Sequence, residues 1–328
     1  MVSARGVLAL NLINVSLILS LVAGTAEAGP WQAGSGAREV PLWPAGVALA
    51  KPPVTGDEVM KVSPGQDGGK GIVEVDNVTR PTLTLYPPKG RNTGATVVVF
   101  PGGGYRVLAM DLEGTEVCDW ATAKGMTCAV LKYRVPYGGP HYDETCNCQK
   151  DAVVPMALQD AQRAISLLRS QARTLHIDPK KIGVVGFSAG GHLVADVSTH
   201  RERAYKAADA VDREDFRPDF AIPLYPGHMW SEHDGDLSLQ HAEAPDARTP
   251  PTLILQAEDD PVDDVRNSLT YFLALKAAKV PAEMHIYAHG GHAFGLRPTA
   301  QPISHWPVLA ENWLHTIGIL NKAPTTTH

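Results

Sequence analysis

Thr96-Val97-Val98-Val99-Phe100 is a β-branched run with no charge and no alternation. A strand with one wet face alternates apolar and polar positions. A run like this one is buried on both faces, as inside a parallel sheet. Further strands are expected at residues 127–133, 182–187, 220–224, 252–256 and 282–287, the first of them buried as well. Shorter strands are expected at 72–75 and 83–86. Between them lie stretches with helical spacing, at 113–123, 155–175, 189–197, 265–279 and 306–319. The second of these sets Leu158, Ala161, Ala164, Ile165 and Leu168 on one face. Strands alternating with helices in this way make an α/β fold, a mostly parallel sheet with helices on both faces. Right-handed crossovers then gather the C-terminal ends of the strands along one edge, where ligands bind.

The chain has 328 residues, 44% of them hydrophobic, enough for one large domain with a substantial core. Its formal net charge of -6 gives no sign of the basic surface that a nucleic-acid partner requires, and none is expected. Residues 1–28 read as a secretory signal peptide. Arg5 begins it, a mostly apolar stretch follows, and Ala26-Glu27-Ala28 supplies a small-residue cleavage site. A secreted or periplasmic location follows, with no stable membrane span. Residues 29–70, rich in Pro and Gly, read as an irregular lead-in. Residues 71–320 form the catalytic domain, and 321–328 a polar tail. Export makes Cys118, Cys128, Cys146 and Cys148 disulfide-permissive. Cys146 and Cys148 are too close for an easy mutual bridge. The pairing stays open, as does a set of buried thiols.

Gly186-Phe187-Ser188-Ala189-Gly190 matches G-x-S-x-G and falls between an expected strand and an expected helix. Such a turn holds its serine out above the sheet, at a helix N-terminus. The Ala189 N–H then points at any oxyanion that forms there. Pro101-Gly102-Gly103-Gly104-Tyr105 follows the first buried strand. Side-chain-free residues let backbone N–H groups approach a carbonyl closely, so Gly103 and Gly104 are the other expected oxyanion donors. A phosphate site is a poorer reading, because neither G-x-x-x-x-G-K-[ST] nor G-x-G-x-x-G is present.

A serine hydroxyl needs a base to become a nucleophile, and the base needs an orienting acid. With this turn the chain order is Ser, acid, His. The strand at 252–256 leads into Glu258-Asp259-Asp260-Pro261-Val262-Asp263-Asp264. Asp260 is the expected acid and Asp259 the alternative, with Asp263 and Asp264 expected to cap the next helix. His289-Gly290-Gly291-His292-Ala293-Phe294-Gly295 follows the last strand. His292, flanked by small residues, is the expected base, with His289 the alternative. No metal or cofactor is expected. Tyr105, Tyr225, Trp230 and Phe294 lie on loops at the same edge and are candidates for lining a substrate pocket.

These motifs, with Lys132-Tyr133-Arg134-Val135-Pro136 and Asp160-Ala161-Gln162-Arg163-Ala164, make the stretch from Asn77 to Trp313 resemble the PGGGY-type bacterial esterases. Those are α/β-hydrolases related to acetyl xylan and feruloyl esterases and to the dienelactone hydrolase-like group. The chain departs from lipase-like esterases at Pro101, where they carry His. The resemblance implies a serine carboxylesterase acting on small-molecule or polysaccharide esters, with acetyl groups on plant polysaccharide foremost. Two rivals share the scaffold. One is a serine peptidase of the prolyl oligopeptidase type, which usually adds a propeller domain that this repeat-free chain lacks. The other is a non-catalytic binding protein. Glycoside hydrolysis would need paired carboxylates across a sugar cleft, which the motif order does not supply.

Overall fold

A computed structural model describes residues 30–54, 56–65, 69–136, 141–143, 148–150, 155–230, 236–239 and 244–320. The expected signal peptide, the polar tail and Cys146 lie outside these. In chain order the first strands are β1 (Arg38–Pro41), β2 (Val59–Ser63), β3 (Ile72–Asp76), β4 (Thr82–Tyr86), β5 (Thr96–Phe100) and β6 (Leu108–Ala109). Then come β7 (Thr127–Lys132), β8 (His141–Asp143), β9 (Cys148–Lys150), β10 (Ile182–Phe187), β11 (Ala221–Leu224), β12 (Thr252–Ala257) and β13 (Ala282–Tyr287). The helices are α1 (Glu116–Ala123), α2 (Met156–Ser170), α3 (Ala172–Leu175), α4 (Ala189–Thr199), α5 (Arg266–Ala277) and α6 (Trp306–Thr316).

Eight strands form the central sheet in the order β1-β4-β7-β5-β10-β11-β12-β13. From β7 to β13 every neighbour is parallel, while β4 runs antiparallel to both β1 and β7. The largely apolar runs occupy its middle: every residue of β5, β7, β10, β11 and β12 is buried. Burial on both faces is what such runs require. Helices α2, α4 and α5 cover one face, where Ala195 packs with Ile254, Tyr271 and Leu275. Helices α1 and α6 cover the other, joined by the Trp120–Trp306 ring contact and the Lys124–Glu311 ion pair. Cys118 on α1 is disulfide-bonded to Cys128 on β7, which ties that helix to the sheet.

Two regions differ from the expectation. The lead-in at 29–70 is not wholly irregular. It supplies β1, which pairs along β4, and β2, which joins β3 and β6 in a small second sheet. Trp31, Leu42 and Trp43 from the same stretch enter the core. The loop expected at 134–152 carries the short antiparallel pair β8–β9.

A buried ion pair locks the lead-in to α2. Arg134 and Asp160 are both fully buried and joined at 2.9 Å. Asp160 also accepts from the Arg134 N–H at 3.0 Å and from Trp43 Nε1 at 2.8 Å. Arg134 spends its remaining hydrogens on the Ala50 and Met156 carbonyls and on Gln159 Oε1. A network satisfied to this degree is tolerated, but removing one charge strands the other. Asp160→Asn is therefore expected to destabilise the fold by about 3–5 kcal/mol in urea unfolding. A loss below about 1 kcal/mol would show that the pair carries little.

Candidate active site

The C-terminal ends of β5, β10, β11, β12 and β13 converge on one edge, and each contributes a loop. The loop after β10 turns at Ser188, with φ 51° and ψ -120°. A side chain at Gly190 would run into the Phe100 carbonyl, and one at Gly186 into the Gly190 carbonyl. Only glycine lets strand, turn and helix pass this closely. The turn is held by the Ser188 N–H donating to the Leu224 carbonyl at 3.0 Å and by the Ser188 carbonyl accepting from the His192 N–H at 3.0 Å.

Ser188, His292 and Asp260 meet, although 104 residues separate the first two. His292 Nε2 lies 3.1 Å from Ser188 Oγ. His292 Nδ1 lies 2.8 Å from Asp260 Oδ2. Asp260 Oδ1 accepts the N–H groups of Val262 at 2.8 Å and Asp263 at 3.0 Å, while Gln256 Nε2 donates to Oδ2 at 3.1 Å. The carboxylate thus fixes both the imidazole and its own loop. Burial by itself would lower the His292 pKa, but the bond to Asp260 and the charges of Asp260, Asp263 and Glu113 outweigh it, and the net shift is upward from 6.5.

The alternative acid and base have another place. Asp259 accepts the N–H groups of Gly290 at 2.9 Å and Gly291 at 2.8 Å, and its Oδ2 lies 3.1 Å from the exposed His289. Together they brace the loop that carries His292. Asp264 is not the cap expected of it: the N-cap of α5 is Val265, and Asp264, one residue ahead, accepts the Arg266 N–H on Oδ1 at 2.8 Å. Asp263 does not cap that helix. Its carboxylate turns inward, with Oδ2 3.2 Å from Ser188 Oγ.

The Pro101–Gly104 loop lies against the serine: a Cβ on Gly102 would sit 3.1 Å from Ser188 Cβ. The loop folds back on its own carbonyls, with Val107 N donating to Gly103 O at 3.1 Å and Ala109 N to Gly102 O at 3.0 Å. Gly103 and Gly104 have φ of 127° and 60°, and their N–H groups meet no acceptor among the described residues. Ala189 is the first residue of α4, so its N–H has no partner within the helix. The Gly102 N–H is taken, donating to Glu113 Oε2 at 2.8 Å.

Glu113 escaped the sequence reading. The helix expected from residue 113 starts as a π-helical turn over Asp111–Thr115, closed by Thr115 N on the Met110 carbonyl. That wide turn aims Glu113 inward behind the glycine loop. It is buried, and the Tyr225 hydroxyl donates to its Oε1 at 2.7 Å. Burial raises its pKa, against the bonds from Tyr225 and Gly102 and the charge of His292. The sequence signal was a carboxylate placed where a helix needs an apolar residue.

The pocket candidates need correcting. Tyr105 and Tyr225 are fully buried, so neither can present a surface to substrate. The Tyr105 hydroxyl lies 2.7 Å from His192 Nδ1, and the Tyr225 ring packs 4.9 Å from the His292 ring. Both are supports beneath the site, since a buried hydroxyl has to find a partner inside the protein. Trp230 is half-buried, with Arg266 stacked 3.7 Å over its ring and its Nε1 donating to the Asp236 carbonyl. Phe294 is 7% exposed and borders a cavity of about 890 Å³ on the outer side of the His292 loop. Lys70, Asp259, His289, Arg297 and Gln301 also line that cavity; Ser188 does not.

The BD-FAE family matches residues 83–216. An acetylxylan esterase of Xylanibacter ruminicola is 30% identical over 225 residues, 62% of this chain and 42% of that protein. Endo-1,4-beta-xylanase B of Butyrivibrio fibrisolvens is 28% identical over 215 residues, 60% of this chain and 32% of that protein. This chain therefore spans less than half the length of either. Among solved structures, the acetyl ester-xyloside bifunctional hydrolase of Caldicellulosiruptor lactoaceticus superposes with a TM-score of 0.61 at 34% identity, covering 75% of this chain and 91% of that one. By its sheet, its serine turn and these likenesses, the chain belongs to the BD-FAE family of esterase-like α/β-hydrolases.

Proposed function

We propose that the protein is an exported serine esterase that removes acetyl and related acyl groups from carbohydrate esters, plant polysaccharide among them. The observation that carries this reading is the chain of hydrogen bonds from Ser188 Oγ through His292 to Asp260. His292, held by Asp260, takes the Ser188 proton as Oγ attacks the ester carbonyl. The N–H groups of Gly103, Gly104 and Ala189 receive the negative oxygen. The alcohol leaves with the proton from Nε2, and water then releases the acid and restores Ser188. Names of relatives that act on acetylated xylan or xylosides support the substrate class. The Cys118–Cys128 disulfide supports export, since such bonds persist in oxidising compartments. Among the described residues no helix is long and apolar enough to cross a membrane.

The test is turnover by the purified protein of acetyl, longer-chain acyl and feruloyl esters, with a peptide substrate alongside. Fastest hydrolysis of acetyl esters is expected. Peptide cleavage without ester turnover would replace this reading with the peptidase one, and no turnover by a folded protein would favour a binding role.

The base works only when neutral. Because the His292 pKa is raised from 6.5, kcat/KM is expected to climb through an apparent pKa above that value and level off in the alkaline range. A profile flat from about pH 6 to about pH 9 would remove His292 from the base role.

A further inference from the structure

Asp263 stands beside the Ser188–His292–Asp260 chain without being part of it. Its Oδ2 is 3.2 Å from Ser188 Oγ and 3.8 Å from His292 Nε2. The position is built. Asp260 Oδ1 holds the Asp263 N–H, and the Asp263 carbonyl accepts from Gln256 Nε2 at 3.0 Å. On its other side the carboxylate packs against Gly227, where any side chain would collide with Oδ1. The titratable groups that face it are His292 on the loop after β13, Asp260 on its own loop and Glu113 on the π-helical turn. Burial pushes its pKa up to about 6, so it is charged in mildly alkaline solution.

In acyl transfer the departing alcohol oxygen takes its proton from the base while still beside the serine oxygen. A group within 3.2 Å of Ser188 Oγ and 3.8 Å of His292 Nε2 borders the place of that oxygen. We propose that Asp263 determines alcohol specificity: its carboxylate accepts a hydrogen bond from a free hydroxyl on the alcohol half of the ester, selecting esters of polyols and sugars over esters of simple alcohols. The inference rests on the serine-esterase reading above.

The mechanism has two parts. The first is direct, since a charged acceptor holds a hydroxyl more strongly than a neutral one. The second concerns the Ser188 proton. That hydroxyl has one hydrogen and two acceptors within reach, His292 Nε2 at 3.1 Å and Asp263 Oδ2 at 3.2 Å. While the hydrogen points at Asp263, the base cannot take it. A substrate hydroxyl that occupies Asp263 removes the competitor and returns the Ser188 hydrogen to His292. An ester of a simple alcohol leaves the competition in place, and an alcohol that bears its own carboxylate is repelled.

The experiment compares kcat/KM for a monoacetylated methyl xyloside, which has free hydroxyls beside the ester, with kcat/KM for ethyl acetate. The acyl group is the same, so the ratio reports the alcohol alone. Wild type, Asp263→Asn and Asp263→Val are measured in mildly alkaline buffer, with thermal unfolding as the control for folding. The ratio of xyloside to ethyl ester is expected to fall roughly tenfold to a hundredfold in both variants. A ratio within about twofold of wild type in either folded variant overturns the role of Asp263. A wild type that hydrolyses neither ester overturns the esterase reading itself, which keeps the two failures apart.

Discussion

Ser188→Ala is expected to lower kcat on an acetyl ester by about a millionfold, leaving only what binding and the oxyanion donors supply. The size of the loss follows from what the substitution removes. Oγ is the atom that forms the acyl bond, and it is the hydrogen-bond partner of His292 Nε2. Without it the base has no proton to take. The fold loses little, because the turn is held through the backbone of residue 188, on the Leu224 carbonyl and the His192 N–H, and those bonds survive in alanine. Steady-state hydrolysis and thermal unfolding should be measured on the same sample. A folded variant that retained activity within about tenfold of wild type would rule out Ser188 as nucleophile.

Asp260→Asn is the second large effect, about 10⁴-fold in kcat. The Asp260 carboxylate accepts from four donors: the Val262 and Asp263 N–H groups on Oδ1, and Gln256 Nε2 and His292 Nδ1 on Oδ2. In asparagine the oxygen would stay with the two backbone donors. The amide nitrogen would then face Gln256 and His292 and could accept from neither. His292 could meet that nitrogen only by accepting at Nδ1, which places its proton on Nε2. An imidazole protonated there cannot take the Ser188 hydrogen. Asp259→Asn provides the contrast. The Asp259 carboxylate holds Gly290 and Gly291 and has no bond to His292, so its loss should loosen the loop and cost far less. If Asp259→Asn proved the more damaging of the two in kcat, the assignment of the acid would be wrong.

The parts of this molecule that were legible in the sequence are those where the signal is local. The buried runs at 96–100 and 182–187 betray strands because both their faces are apolar. The turn at Ser188 betrays itself through two glycines that no other residue can replace. Among the neighbouring acids, distance past β12 favours Asp260 over Asp259, and the Asp260 carboxylate lies 2.8 Å from His292 Nδ1. What the sequence hid depends on contacts between distant positions. Glu113 meets Tyr225, 112 residues away, and Trp43 meets Asp160, 117 residues away. Nothing beside either residue announces its partner. Asp263 was hidden for another reason: a carboxylate just ahead of a helix is ordinarily a cap, and only the inward turn of its loop directs it to Ser188 instead. Tyr105 and Tyr225 show the converse error. An aromatic residue on a loop at the active edge invites a role as pocket wall, yet both serve as buried props.

The first strand has a consequence for solubility. β1 is four residues long, lies mostly exposed, and covers one side of β4, whose central residues are buried. It belongs to the stretch that composition alone reads as an irregular lead-in. A chain shortened to begin at residue 71 would keep every residue of the proposed chemistry but bare a row of unpaired amides and carbonyls along β4. Such an edge is a template for a strand from another molecule. The same cut would remove Trp43 and its bond to Asp160, weakening the fold while opening the edge. β1 covers an edge that would otherwise lie open to such pairing, with four residues remote from the proposed chemistry.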